Sequence, residues 1–395
     1  MSIPDDVLVA GASVGGLTVA EALRRKGYTG RIRIVGEEPH LPYDRPPLSK
    51  EVLTGTWPVD RIYLRGQDRL AELGVDWVLG VRAERLDPHA RTVKTDDGRV
   101  LPYGALVIAT GLVPRRLPGQ PNLAGVHTLR SLDDTLNLKR ELQDAHRVVV
   151  VGAGVLGCEI AAAARTLGKA VTLVDPESTP MARQLGVELG RHVAAMHEAH
   201  GVRLHTGTTV TRLLGTDGRI SAIALPGNQI VEADVVVLAA GSIPATRWLD
   251  GSGLDLDDGV GCDASLRAAP DVYAVGDVAR WPAPWTDTAL RLETRTNATE
   301  QALVVADNIL GADRLYRPIP YFWSDQYDTK IQVHGVITPH ARTRVVEGDP
   351  REGRFLALAE DGGVVTAAIG WNNPRGVRTA RRLLGHETNL ITTTD

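Results

Sequence analysis

The feature that most constrains this chain is a repeat. Val7-Leu8-Val9-Ala10 runs into Gly11-Ala12-Ser13-Val14-Gly15-Gly16, then a helical pattern through Leu17, Ala20 and Leu23, then the strand-like Arg31–Gly36 with Glu37 and Glu38 at its end. Far along the chain, Val148 to Val151 runs into Gly152-Ala153-Gly154-Val155-Leu156-Gly157, an alanine-rich helix, and Ala170–Val174 ending at Asp175. Each copy reads as strand, glycine turn, helix, strand, closed by an acid, which is the pattern of a dinucleotide-binding βαβ unit. The first glycine makes the tight turn, the second lets backbone approach a pyrophosphate, and the third lets helix and strand pack. The helix N-terminus then offers N–H donors and a positive dipole to phosphate. Gly152, Gly154 and Gly157 keep the pattern in full, whereas Ser13 replaces the second glycine in the first copy. The expected fold class is α/β with two Rossmann-like domains.

The acids select the ligands. A carboxylate at the end of the second strand accepts from adenosine ribose hydroxyls and repels a 2′-phosphate. Asp175, followed by Pro176 and not by arginine, therefore favours NAD(H), while Glu37, with Glu38 as its substitute, serves the first nucleotide. The alternative is that these are ordinary acids at strand ends. Two nucleotide sites in one chain suggest a relay between a bound flavin and a mobile nicotinamide. Asp277, after the short strand Val272–Val275 and Gly276, suits hydrogen bonding to the ribityl chain of a flavin.

Two further apolar strands end in glycine turns, Leu106–Ile108 running to Thr110-Gly111 and Val235–Leu238 running to Gly241. They suggest one domain from residues 1–113 and 242–315, binding FAD, with an NAD-binding domain of residues 114–241 inserted. Beyond it, Lys330–Val333, Arg342–Val346 and Phe355–Ala359 read as short strands and Asn373–Leu384 as a basic helix, giving a small α+β domain over 316–395.

A formal net charge of −4 argues against coating nucleic acid or an anionic membrane. Two cysteines, Cys158 and Cys262, rule out a disulfide framework and fit a reducing cytoplasm; the opening residues have no basic, apolar leader pattern.

More specific are Leu41-Pro42-Tyr43-Asp44-Arg45-Pro46-Pro47-Leu48-Ser49-Lys50 and Tyr321-Phe322-Trp323-Ser324-Asp325-Gln326. With Ile62–Arg65, Ala109–Gly111, Leu129–Asp134, Ala274–Asp277 and Asn297–Gln301, they resemble the NADH-dependent ferredoxin reductases, a family with a glutathione-reductase-like fold. It includes putidaredoxin reductase, rubredoxin reductase and the reductases of aromatic-ring dioxygenases. The resemblance spans nearly the whole chain in order. It implies NADH giving hydride to FAD, and electrons passing singly to an acidic [2Fe–2S] ferredoxin that feeds a cytochrome P450 or a Rieske-type oxygenase. It implies FAD contacts at Gly11, Ser13, Val14, Gly15, Gly16, Glu37, Arg45, Lys50, Ala83 (main chain), Thr110, Gly111, Arg130, Gly276 and Asp277, with Glu38 as the substitute for Glu37 and Arg295 at the flavin-adjacent position. It implies NADH contacts at Gly152, Gly154, Leu156, Gly157, Glu159, Asp175, Arg183 and Gly241, and Trp323 near the isoalloxazine.

Lys50 and Glu159 also carry an argument from charge. A lysine near the flavin N5 favours the anionic reduced flavin, and a glutamate beside it keeps it charged and oriented. Lys50, Glu159 and Trp323 are the expected catalytic set. Arg295 departs from the family pattern, which places an uncharged residue at that flavin-adjacent position. Arg295 and the Arg375, Arg378, Arg381 and Arg382 face are candidates for docking an acidic partner, the latter equally readable as a solvated face.

Rival functions are a rubredoxin reductase, an NADH-sensing flavoprotein resembling apoptosis-inducing factor, and a disulfide or peroxide reductase. The last requires a cysteine pair, or one cysteine in the early loop; residues 36–56 contain none, and Cys158 and Cys262 are far apart in sequence. Cys158 reads as a small buried hydrophobe. His197 and His200 read as a solvated helix face, with no third ligand for a metal.

Overall fold

The structure of the chain, a computed structural model, describes residues 3–283 and 288–386, so the end of the expected third domain lies outside the described residues. The chain divides into two compact units, each assembled from three segments. The first comprises Met1–Arg45, Val59–Val113 and Ser242–Pro318; the second comprises Pro46–Pro58, Pro114–Gly241 and Ile319–Asp395.

The first unit is built on a six-stranded sheet. Its order is Arg267–Ala269, Val272–Ala274, Ala105–Ile108, Asp6–Ala10, Arg31–Gly36 and Val75–Leu79, all parallel except the first. Asp6–Ala10 is apolar at every inner position because both of its faces are covered. Val7 and Val9 face the helices Val14–Arg25 and Arg295–Ile309, while Leu8 and Ala10 face Leu86, Val93 and Leu101 of a small antiparallel sheet. The glycine turn, Glu37, Thr110, Gly111, Gly276 and Asp277 all follow the carboxyl ends of adjacent parallel strands. Asp6–Ala10 pairs with the strand that follows it on one side and with a much later strand on the other, a switch point where sheets of this kind bind ligands.

The second unit repeats the plan. Five parallel strands lie in the order Arg203–Thr206, Ala170–Asp175, Arg147–Val151, Val235–Leu238 and Val126–His127. Gly152, Asp175 and Gly241 lie at or just beyond their carboxyl ends. The same unit holds a five-stranded antiparallel sheet ordered Tyr321–Gln326, Thr329–Gly335, Val364–Trp371, Arg354–Asp361 and Arg342–Asp349, closed by the helix Pro374–Ala380. The sheets therefore follow the expected α/β class with its small α+β addition. Among the described residues, no helix is long and apolar enough to cross a membrane.

Candidate functional site

The two glycine turns divide their work in a way that the geometry resolves. A Cβ on Gly152 would meet the Ala239 carbonyl oxygen at 2.2 Å, and one on Gly157 would meet the Gly152 oxygen at 1.8 Å. Both glycines are required by packing. Gly154 is not: a Cβ there would meet nothing within 4 Å, and its backbone is extended, at φ −71°. In the first unit, Cβ atoms on Gly11 and Gly16 would lie 2.1 and 2.0 Å from backbone oxygens. Ser13 and Gly154 stand as N-caps of 12-residue helices, and neither makes a side-chain capping hydrogen bond. The first-turn N–H groups of both helices thus receive no acceptor from their caps, an arrangement suited to a pyrophosphate.

Beside Gly276 the fit to a bound group has a second sign. Gln301 is fully buried, its Oε1 accepts from the Gly276 N–H at 2.7 Å, and its Nε2 has no partner among the described residues. The residues present therefore fit a dinucleotide in each unit.

The strand-end acids behave differently from one another. Asp175 is buried, and its carboxylate accepts from the N–H groups of Ala153 and Glu177, tying the acid to the glycine turn. Its remaining lone pairs are available to ribose hydroxyls. Glu37 is exposed, with Arg82 at 3.7 Å. Glu38 is the anchored one: it accepts from the Tyr43 hydroxyl and, at 2.7 Å, from Arg45, whose guanidinium lies 5.2 Å from the Tyr43 ring. Burial works against the Arg45 charge, but Tyr43, Glu38 and Asp277 outweigh it and raise its pKa.

Thr110 donates to the Ala245 carbonyl at 3.0 Å, and Ala83 is buried at the start of Ala83–Asp87. Arg130 belongs to the second unit, just before the helix Leu132–Asp144, and Arg183 is exposed and paired with Glu177. Arg295 opens its helix and is paired with Asp44 at 2.8 Å, 35% exposed.

Within the second unit, the residues expected to be catalytic come together. Glu159, on the helix Val155–Thr166, is 6% exposed and accepts from Ser49 at 2.6 Å and Ser324 at 2.8 Å. Lys50 lies 3.4 Å from Glu159 and 3.5 Å from Asp325, and 5.9 Å above the Trp323 ring, a cation–π distance. Burial pushes the Glu159 carboxyl above the usual carboxylate range, while Lys50, Ser49 and Ser324 pull it back. Ser49, Ser324 and Asp325 lie inside the two motif runs but do not stand out as site residues from sequence alone.

His197 corrects a sequence expectation. It is fully buried rather than solvated, and its ring nitrogens face Gln326 at 2.9 Å and Tyr327 at 3.1 Å. A signal was present: Leu185, Leu189, Val193 and His197 recur every fourth residue, the spacing of one helix face, and all four are buried. Cys158 is fully buried and Cys262 partly so, and burial raises both thiols, Cys262 to about 12. Neither is poised as a thiolate.

Comparison with known proteins agrees with this geometry. Residues 5–302 match the pyridine nucleotide-disulphide oxidoreductase family, and residues 321–393 match the reductase C-terminal domain. A ferredoxin–NAD(P)+ reductase from Sphingomonas sp is 40% identical over 91% of this chain and 88% of its own. The ferredoxin–NAD+ reductase component of an anthranilate 1,2-dioxygenase system from Burkholderia cepacia is 36% identical over 96% of this chain and 94% of its own. The crystal structure of a covalent putidaredoxin reductase–putidaredoxin complex superposes with a TM-score of 0.92 at 30% identity, covering 98% of this chain and 95% of that one. The chain therefore belongs to the ferredoxin reductase family of flavoprotein pyridine nucleotide-disulphide oxidoreductases.

Proposed function

We propose that the chain is a cytoplasmic, FAD-dependent NADH:ferredoxin reductase that delivers electrons to a [2Fe–2S] ferredoxin serving a P450 or Rieske-type oxygenase. The observation that carries this reading is the pair of uncapped helix N-termini, one in each unit, each at a glycine turn that the fold keeps clear of side chains. When bound, FAD accepts two electrons as hydride and releases them singly. A cysteine relay has no thiolate to run on, which favours transfer to a one-electron carrier over disulfide reduction.

In this reading the first unit is the FAD domain. Gly11 to Gly16 would receive its pyrophosphate, Glu37 or the anchored Glu38 its ribose, and Asp277 its ribityl chain, with Arg45, Ala83, Thr110, Gly111, Gly276 and Arg295 around them. Within the second unit, Gly152, Gly154, Leu156, Gly157 and Gly241 receive NADH and Asp175 holds its adenosine ribose, with Arg183 at the edge. Glu159 holds Lys50 in place, with the Lys50 Nζ 5.9 Å over the Trp323 ring. No group needs to take a proton from the nicotinamide, so positioning is the main task of these residues.

The test is steady-state oxidation of NADH and NADPH by the purified yellow protein, with [2Fe–2S] ferredoxins and with ferricyanide. We expect ferredoxin reduction, and at least a roughly tenfold preference for NADH, because Asp175 repels a 2′-phosphate. Equal efficiency with NADPH would remove Asp175 from its role. Turnover with ferricyanide but with no ferredoxin would overturn the proposed acceptor.

A further inference from the structure

A chain of hydrogen bonds runs through the second unit from Tyr327 to Glu159, and elementary chemistry fixes its direction. The Met181 thioether has no hydrogen to give, and it faces Gln326 Nε2 at 3.3 Å. The same nitrogen lies 3.0 Å from Ser324 Oγ. An amide nitrogen only donates, so the Ser324 hydroxyl accepts there and turns its own hydrogen to Glu159 Oε1, 2.8 Å away. Gln326 Oε1 then faces His197 Nε2 at 2.9 Å, and because that oxygen only accepts, Nε2 carries the ring hydrogen. Nδ1 is left to accept from the Tyr327 hydroxyl at 3.1 Å. Tyr327 in turn stacks on His200, with ring centroids 3.6 Å apart.

Every link therefore points the same way, toward one buried carboxyl. Glu159 also receives Ser49 on Oε2 and Lys50 on Oε1. We propose that Gln326, held between His197 and Met181, is a positioning residue: it turns the Ser324 hydroxyl onto Glu159 and so keeps this buried carboxyl ionised beside Lys50. Such a carboxyl is expensive to bury charged, and each donor aimed at it lowers that cost.

The charged and titratable groups around the chain are few. Lys50 sits between Glu159 and Asp325, and Asp325 is shared with Lys330 at 3.0 Å. Cys158, adjacent on the helix, stays a protonated thiol, with Asp175 beyond it. His197 and His200 lie at the far end, where the Arg165 charge also acts on Tyr327, and burial drops His197 to about 4, so the ring is neutral near pH 7, as the chain requires.

The test follows the Glu159 carboxyl directly, by infrared difference spectroscopy of the FAD-loaded protein across pH, with Glu159→Gln identifying its band. Ser324→Ala should raise the titration midpoint by roughly one to two pH units, the size of one hydrogen bond to a charged group. Gln326→Leu should raise it by no more than that, and the double variant should match Ser324→Ala alone, because Gln326 acts through Ser324. Tyr327→Phe, which removes one oxygen, should give a smaller shift of the same sign, and it keeps the test open if Gln326→Leu does not fold. A midpoint unmoved in Gln326→Leu, or shifts that add in the double variant, would overturn the proposal.

The rate consequence rests on the reading of Glu159 as a nicotinamide-side residue. The pH profile of flavin reduction by NADH should move with the carboxyl. A moved carboxyl with an unmoved rate profile would uphold the positioning role and remove Glu159 from the reaction.

Discussion

His197 shows how one side chain can make a large protein sensitive to acid. Its ring is neutral in the folded state, with burial holding it at about 4 against 6.5 in the unfolded chain. Above pH 6.5 both states carry a neutral ring and the stabilisation is complete. Below it the unfolded chain takes up the proton first, so stability is lost as pH falls from 6.5 toward 4. Between pH 7 and pH 5 the loss is about 2 kcal/mol. Glu159, raised in the folded state, works in the opposite direction, and a His197→Gln variant keeps an N–H that can donate to the Gln326 oxygen, which limits any change at Glu159. Thermal midpoints measured at the two pH values should therefore converge, with the variant losing about 2 kcal/mol less. Parallel losses in both proteins would show that His197 carries no proton linkage.

At the scale of elements, the glycine turns were legible from sequence because their constraint is local. A strand, a turn of fixed length and a helix leave a pattern within one stretch of chain. The geometry puts distances on the division of roles that the pattern implies, since a Cβ on Gly157 would meet a backbone oxygen at 1.8 Å and one on Gly154 would meet nothing within 4 Å. Gly157→Ala forces a Cβ onto a backbone oxygen and should cost several kcal/mol, with a low yield of folded protein. Gly154→Ala should keep the melting temperature and the FAD content while raising the KM for NADH about tenfold, which corresponds to about 1.4 kcal/mol. Equal destabilisation by the two substitutions would contradict the packing argument.

The Glu159 site was only half legible. Lys50, Glu159 and Trp323 stood out through charge logic and motif resemblance. Ser324, Gln326 and His197 did not, because their partners lie on distant segments and nothing local marks the pairing. Residue type alone reads His197 as solvated, whereas the four-residue spacing it shares with Leu185, Leu189 and Val193 puts it on the buried face. Glu38 and Glu37 were separable only by seeing which acid Arg45 reaches.

For the whole molecule the decisive quantity is charge distribution. A protein of net charge −4 repels an acidic ferredoxin on average, so productive encounter depends on local basic surface. Arginine is the residue on hand, 38 against six lysines, and its planar fork pairs well with carboxylates. Arg375, Arg378, Arg381 and Arg382 are all exposed at the end of the second unit, whereas Arg295 is already paired with Asp44. Raising ionic strength from 0.05 to 0.5 M should lower kcat/KM for ferredoxin by roughly tenfold while changing ferricyanide reduction far less. The triple variant Arg378→Ala, Arg381→Ala, Arg382→Ala should flatten that salt dependence and leave the reduction of flavin by NADH unchanged. A salt dependence equal to that of wild type would move the docking surface elsewhere.

The second unit's three-segment construction also has a history in time. Glu159 bonds to Ser49, 110 residues before it, and to Ser324, 165 residues after it. On a ribosome adding about 5–20 residues per second, the acid precedes its last hydroxyl partner by roughly ten to thirty seconds. Until then its carboxyl is better served by water than by the protein, so the helix carrying it has reason to stay open on that side. Burial of Glu159 should accordingly be among the final events of folding, and protection of amides around it during synthesis would date the moment at which this long-range closure is complete.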